Sequence, residues 1–143
     1  MRLKHCPGCG LVLVKERSPK AHRLFFAVID KAFQNWPESF EGLQPDCSEH
    51  LRAWLLVKAG YRDVLHNSDV DFIKNVITYT RERGYGFPAE HSGGLAVAFP
   101  RSVNWQTLDQ KAFNPVAEKV YAIIEEIIGV PIKELRDKAN DTL

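Results

Sequence analysis

Leu24, Phe25, Val28, Ile29, Ala32 and Phe33 recur at the three- and four-residue steps of a helix. They follow Ser18-Pro19, a pair suited to starting one, because the Ser oxygen can accept from free N–H groups and Pro fits the first helical position. The spacing predicts an amphipathic helix over 19–35, ended by Asn35-Trp36-Pro37. A second helix is expected over about 48–59, with Leu51, Trp54, Leu55 and Ala59 as its apolar positions, Asp46 or Ser48 as cap and Gly60 as stop. A third covers 69–83, where Val70, Ile73, Val76, Ile77 and Thr80 share a face, although its Val, Ile, Thr and Tyr would also suit a strand. Gly84-Tyr85-Gly86-Phe87-Pro88 breaks it. The last long helix opens at Asn114-Pro115 and runs to about 128 on a stripe of Val116, Val120, Tyr121, Ile123, Ile124, Ile127 and Ile128. Gly129 stops it, and 132–138 adds a further helical turn or two.

Extended structure is sparse. Leu11-Val12-Leu13-Val14 reads as a short strand, and 93–100 as a turn followed by a strand whose Pro100 must lie at the end or on an edge. The two are expected to pair, 11–15 against 95–99. The fold class is therefore α+β: a mainly helical single domain with a small antiparallel β element, and a zinc knuckle as a candidate feature at the N-terminus. At 143 residues the chain has one domain's length, divided into a knuckle and strand (1–14) and a helical body (15–143). No apolar run approaches the roughly 18 residues of a membrane span, and no secretion signal is visible. Three cysteines are too few, and odd in number, for a disulfide framework. The expectation is a cytoplasmic protein without a membrane partner.

Charge becomes informative once it is divided along the chain. The net value is only +1, but residues 1–23 hold six Lys or Arg against one acid, Glu16. That head is +5 and the remainder −4. A basic patch is the footprint of an anionic partner such as nucleic acid or phosphate. Arg17, Lys20, His22 and Arg23 fall where the first long helix opens. Helix N-termini bind anions through free N–H groups and the positive end of the dipole. Cations placed there oppose the dipole, so an anionic partner explains them better than solvation does. A second candidate is Arg101, Ser102 and Trp105: an Arg beside a hydroxyl can hold a phosphate while a base stacks on the indole. Taken alone, these residues fit better as a core Trp and a solvated Arg. Trp36 and Trp54 read as core.

The sharpest local pattern is Cys6-Pro7-Gly8-Cys9-Gly10, a turn that puts two thiolates on one side of a knuckle. Zinc takes four ligands in a tetrahedron, and Cys47 with His50, three residues apart, could supply the other two. Such a site would be structural, since no position is left for water. The same residues also fit a redox pair, the remnant of a lost site, or, for Cys47, a small buried apolar side chain. No GxSxG, Gly-rich phosphate loop, HExxH or compact carboxylate cluster is present, and His66, His91 and Glu90 stand apart in expected loops. The pattern favours binding over catalysis, and the chain is read as a non-enzyme.

The helix-opening segment R-x4-H-R-x-F-F (Arg17, His22, Arg23, Phe25, Phe26) and the later P-K/R-S-I/V-x-F/W segment (Pro100, Arg101, Ser102, Val103, Trp105) resemble a group of small phage-encoded proteins known only as a domain of unknown function. Leu51 through Gly60 is similar to that group's second helix, and the resemblance runs in order over about 15–128. The CPGCG knuckle departs from it, so metal binding is not implied. The group is in turn distantly similar to the NinB and Orf phage recombination proteins, which bind DNA of single-stranded character and assist recombinase loading past single-strand-binding protein. The resemblance implies an accessory protein for single-stranded or junction DNA in recombination or replication. Arg17, Lys20, His22, Arg23, Arg101 and Ser102 would then meet phosphates, and Trp105 would stack a base. The alternative is a zinc-stabilised interaction module that docks a host or phage protein, single-strand-binding protein among them, with a homodimer formed through the apolar stripe of the last long helix.

Overall fold

The structure is a computed structural model that describes residues 19–89, 94–104 and 108–141. In chain order it contains α1 (Pro19–Gln34), α2 (Ser48–Lys58), β1 (Arg62–His66), α3 (Phe72–Arg83), β2 (Phe87–Ala89), β3 (Ala96–Pro100), α4 (Gln110–Ile128) and α5 (Ile132–Asp141). The class is α+β, with five helices and one small antiparallel sheet among the described residues. The chain gathers into two compact units. One draws on the two ends of the chain and contains α1, α4 and α5; the other, Pro45–Ser102, contains the sheet with α2 and α3. No glycine- or serine-rich linker marks either junction.

In the helical unit, the periodicity of α1 translates directly into burial: Leu24, Phe25, Val28, Ile29 and Ala32 face inward. They pack against α4 and α5, which contribute Phe113, Ala117, Val120, Tyr121 and Ile124, and Leu135 and Ala139. The Phe25 ring meets Phe113 edge-on at 5.2 Å and Tyr121 at 6.1 Å. Each such fully buried large side chain contributes roughly 1.5–3 kcal/mol. Helix α4 begins earlier than Asn114-Pro115 predicts. The Asp109 carboxylate accepts the Ala112 amide at 2.9 Å and caps the helix, which leaves Pro115 inside its early turns.

In the sheet unit, β3 is the central strand, antiparallel to β1 on one side and to β2 on the other. It is the strand expected at 95–99, with Pro100 at its end, but its partners are β1 (Val64 opposite Ala98) and β2 (Pro88 opposite Val97). The expected partner, 11–15, lies outside the described residues. Helix α2 buries Leu51 and the run Ala53 to Val57, so most of its surface is core, and it packs on β3. Its cap is the Cys47 thiol, which accepts the His50 amide, rather than Asp46 or Ser48. Helix α3 lies over β3 and β1, with Tyr79 against Phe99 at 5.5 Å. Gly86 makes a close approach possible here: a Cβ would sit 2.8 Å from the Phe99 ring and 2.9 Å from Val97 Cγ1. Two threonines of α3 satisfy their hydroxyls on its own carbonyls, Thr78 on Lys74 and Thr80 on Val76, which suits a residue otherwise drawn to strands.

Candidate functional site

The opening of α1 presents Pro19, Lys20 and Arg23 to solvent, and the first turn holds no acidic residue. His22 points differently. Its ring lies against Phe26 at 4.7 Å and Phe113 at 6.5 Å, so the imidazole belongs to the aromatic packing of the helical unit more than to the basic surface. The segment thus splits by helical phase: Lys20 and Arg23, three apart, are exposed, while Leu24 and Phe25 are buried. Arg17 lies outside the described residues.

Arg101 and Ser102 leave the end of β3 on the sheet unit, both exposed. Their backbone is pinned to Tyr61: the Arg101 amide donates to the Tyr61 carbonyl at 3.1 Å, and the Tyr61 hydroxyl donates to the Ser102 carbonyl at 2.6 Å. The Arg101 guanidinium is half exposed, yet it donates from Nε and Nη2 to Asp63 Oδ1, both at 2.9 Å. The other oxygen of Asp63 accepts from Arg83 Nη1 at 2.7 Å. Arg83 also donates to the Pro100 carbonyl at 3.2 Å and lies 4.1 Å over the Tyr79 ring. Two guanidinium groups therefore share one carboxylate, leaving a single net positive charge. Partial burial pushes the Asp63 carboxyl up, but the hydrogen bonds and charges of Arg83 and Arg101 outweigh that and hold it below the ordinary carboxylate range. Any phosphate approaching Arg101 must compete with this carboxylate. Trp105 lies outside the described residues.

Of the metal-ligand set, Cys47 and His50 share the first turn of α2, as their spacing requires. Each already has protein partners. The Cys47 thiol lies 3.4 Å from the Tyr85 hydroxyl and accepts the His50 amide at 3.4 Å, while His50 Nδ1 accepts the Asp46 amide at 3.1 Å. The imidazole stacks on Tyr85 and Phe87 at 4.7 and 5.7 Å. A metal at this turn would take Sγ and Nε2. No cluster of three such ligands occurs among the described residues, and Cys6 and Cys9 lie outside them. The Tyr85 hydroxyl, followed by the His50 amide, holds the thiol below its usual range.

Sequence reasoning missed Asp63, Arg83 and Tyr85. Asp63 sits in a strand with only two apolar residues, Val64 and Leu65, so neither the strand nor its pairing to Arg101 carries a local signal. Arg83 could have been suspected as a basic residue in the last turn of a helix, but that position alone is explained by the helix dipole. No family model matches the chain, and no curated protein or solved structure matches it. No helix among the described residues is long and apolar enough to cross a membrane.

Proposed function

We propose that the chain is a non-enzymatic accessory protein that binds single-stranded or junction DNA, in the recombination or replication setting that its resemblance to phage proteins implies. The observation that carries this reading is the opening of α1, where Lys20 and Arg23 stand exposed on a helix N-terminus free of acidic residues. The charge partition supports it. Residues 45–102 hold seven Lys or Arg and seven Asp or Glu, so the positive excess is concentrated in 1–23. The positive end of the helix dipole adds to the attraction of a phosphate there. Arg101 is a secondary contact, since Asp63 already occupies its guanidinium. His22 supports α1 by packing rather than by touching phosphate.

The test is a gel-shift series with labelled single-stranded, forked and duplex oligonucleotides at about 50 mM salt, where electrostatic association is strong. Retardation of the single-stranded or forked probe is expected, weakened alike for all sequences by the Lys20→Ala/Arg23→Ala double variant. Failure to shift any probe overturns the proposal.

A further inference from the structure

Helix α3 is held to its sheet by little. None of its residues is fully buried, whereas α2, packed on the same sheet, buries Leu51 and the run Ala53 to Val57. Two of its isoleucines stand outside: Ile73 is 73% exposed and Ile77 50%. Its half-buried side holds Phe72, Asn75, Val76, Tyr79 and Arg83, with Tyr79 edge-on to Phe99 at 5.5 Å. Among the described residues, the side-chain hydrogen bonds from α3 to the sheet are those of Arg83. It donates to Asp63 of β1 at 2.7 Å and to the Pro100 carbonyl of β3 at 3.2 Å. Thr78 and Thr80 bond carbonyls of the helix itself. The fastening therefore sits in the last turn. At the opposite end, the N-cap residue Asp71 makes no side-chain hydrogen bond to the helix. The two ends turn on residues of positive φ, Asp71 at 64° and Gly84 at 86°. A non-glycine residue in that region is strained, and residues at element ends absorb the backbone rotation of a hinge.

We infer that α3 is a lid, hinged at Asp71 and Gly84 and clipped to the sheet by Arg83 on Asp63, that opens as a unit while α2 and the sheet stay folded. Segments that bury few apolar side chains open locally at a free energy below that of global unfolding. Opening uncovers the sheet face beneath α3. Phe99 lies on that face, opposite Asp63, and strand alternation puts Val97 and its partner Leu65 there as well. Opening also releases one oxygen of Asp63. Arg101 keeps the other, because it leaves the end of β3 itself and its bonds to Asp63 join β3 to β1 rather than to α3. The clip is thus separable from the rest of the Asp63 network. One ion pair sets how often this unit presents an apolar surface. The lid belongs to the sheet unit alone and does not depend on the nucleic-acid reading.

The experiment is native-state hydrogen exchange on the full chain at neutral pH, followed amide by amide by NMR. In the unaltered chain, the amides of α3 are expected to exchange about tenfold faster, or more, than those of α2. Arg83→Met keeps a long, helix-favouring side chain over Tyr79 but removes the charged donor. It should speed exchange across α3 by about tenfold again and leave α2 and the centre of β3 unchanged. Arg101→Met should leave α3 as it was. Protection of α3 equal to that of α2 in the unaltered chain overturns the inference without any variant. So does unchanged α3 exchange in Arg83→Met, or an acceleration there that α2 and β3 share equally. An effect of Arg101→Met on α3 as large as that of Arg83→Met overturns it too.

Discussion

Asp63 is one carboxylate answering two arginines, and its protonation is set by that geometry. Because its folded pKa is lowered, the ionised form is favoured by the fold. The stabilisation is complete above the unfolded carboxylate value of about 4 and is lost as pH falls through the lower, folded value. Asp63→Asn should therefore lower stability at neutral pH, by about 1 kcal/mol, because two charged donors lose their charged acceptor. The gap in urea midpoint between the two proteins should close on acidification; a gap that persists at low pH contradicts the account. Cys47 makes a second residue-scale prediction. Its thiolate is favoured by the Tyr85 hydroxyl, so alkylation at Cys47, followed on its own peptide by mass spectrometry, should rise at lower pH than for an ordinary thiol. Tyr85→Phe should move that rise to higher pH, and an unmoved profile would assign the shift elsewhere.

At the scale of elements, helices were legible where apolar spacing and end signals agreed. Residues 19–35 and 48–59 anticipated α1 and α2 to within a residue at each end. Gly129 marked the end of α4 for a physical reason: its φ is 76° and its amide donates to the Glu125 carbonyl at 2.8 Å. A Cβ there would meet nothing within 4 Å, so Gly129→Ala should cost only the left-handed backbone term, about 1 kcal/mol in thermal or urea unfolding, and Gly129→Asn less. A much larger loss would mean that the site is crowded. The start of α4 misled because Pro115 carries the stronger local signal, whereas Asp109 provides the cap that holds. Strands β1 and β2 were illegible. One has a two-residue apolar centre and the other contains Pro88, a residue confined to sheet edges, and both exist because β3 lies between them. The face of α3 was visible as a pattern, but periodicity cannot say that Ile73 and Ile77 would be left outside. On α4 the expected stripe is buried at Val120, Tyr121 and Ile124 and half-buried at Val116, Ile123, Ile127 and Ile128, while the exposed large apolar groups among the described residues are Val70, Ile73, Ile77 and Leu95.

At the scale of the whole chain, the sheet unit is an insertion between α1 and α4, and nothing in composition marks its two junctions. The charge partition was readable from the sequence, and the two cations of the basic head that are described, Lys20 and Arg23, are exposed. What the sequence could not disclose is the Asp63 pairing, which demotes Arg101 from a free cation to half of a shared one. The most direct test is the slope of log affinity against log salt for a single-stranded oligonucleotide. Each phosphate contact contributes about 0.7 to that slope, so losing both Lys20 and Arg23 should flatten it by about 1.4, and Arg101→Ala should change it less. A slope that is unchanged in the double variant, or that depends more on Arg101 than on Arg23, would contradict the assignment of the DNA site to the opening of α1.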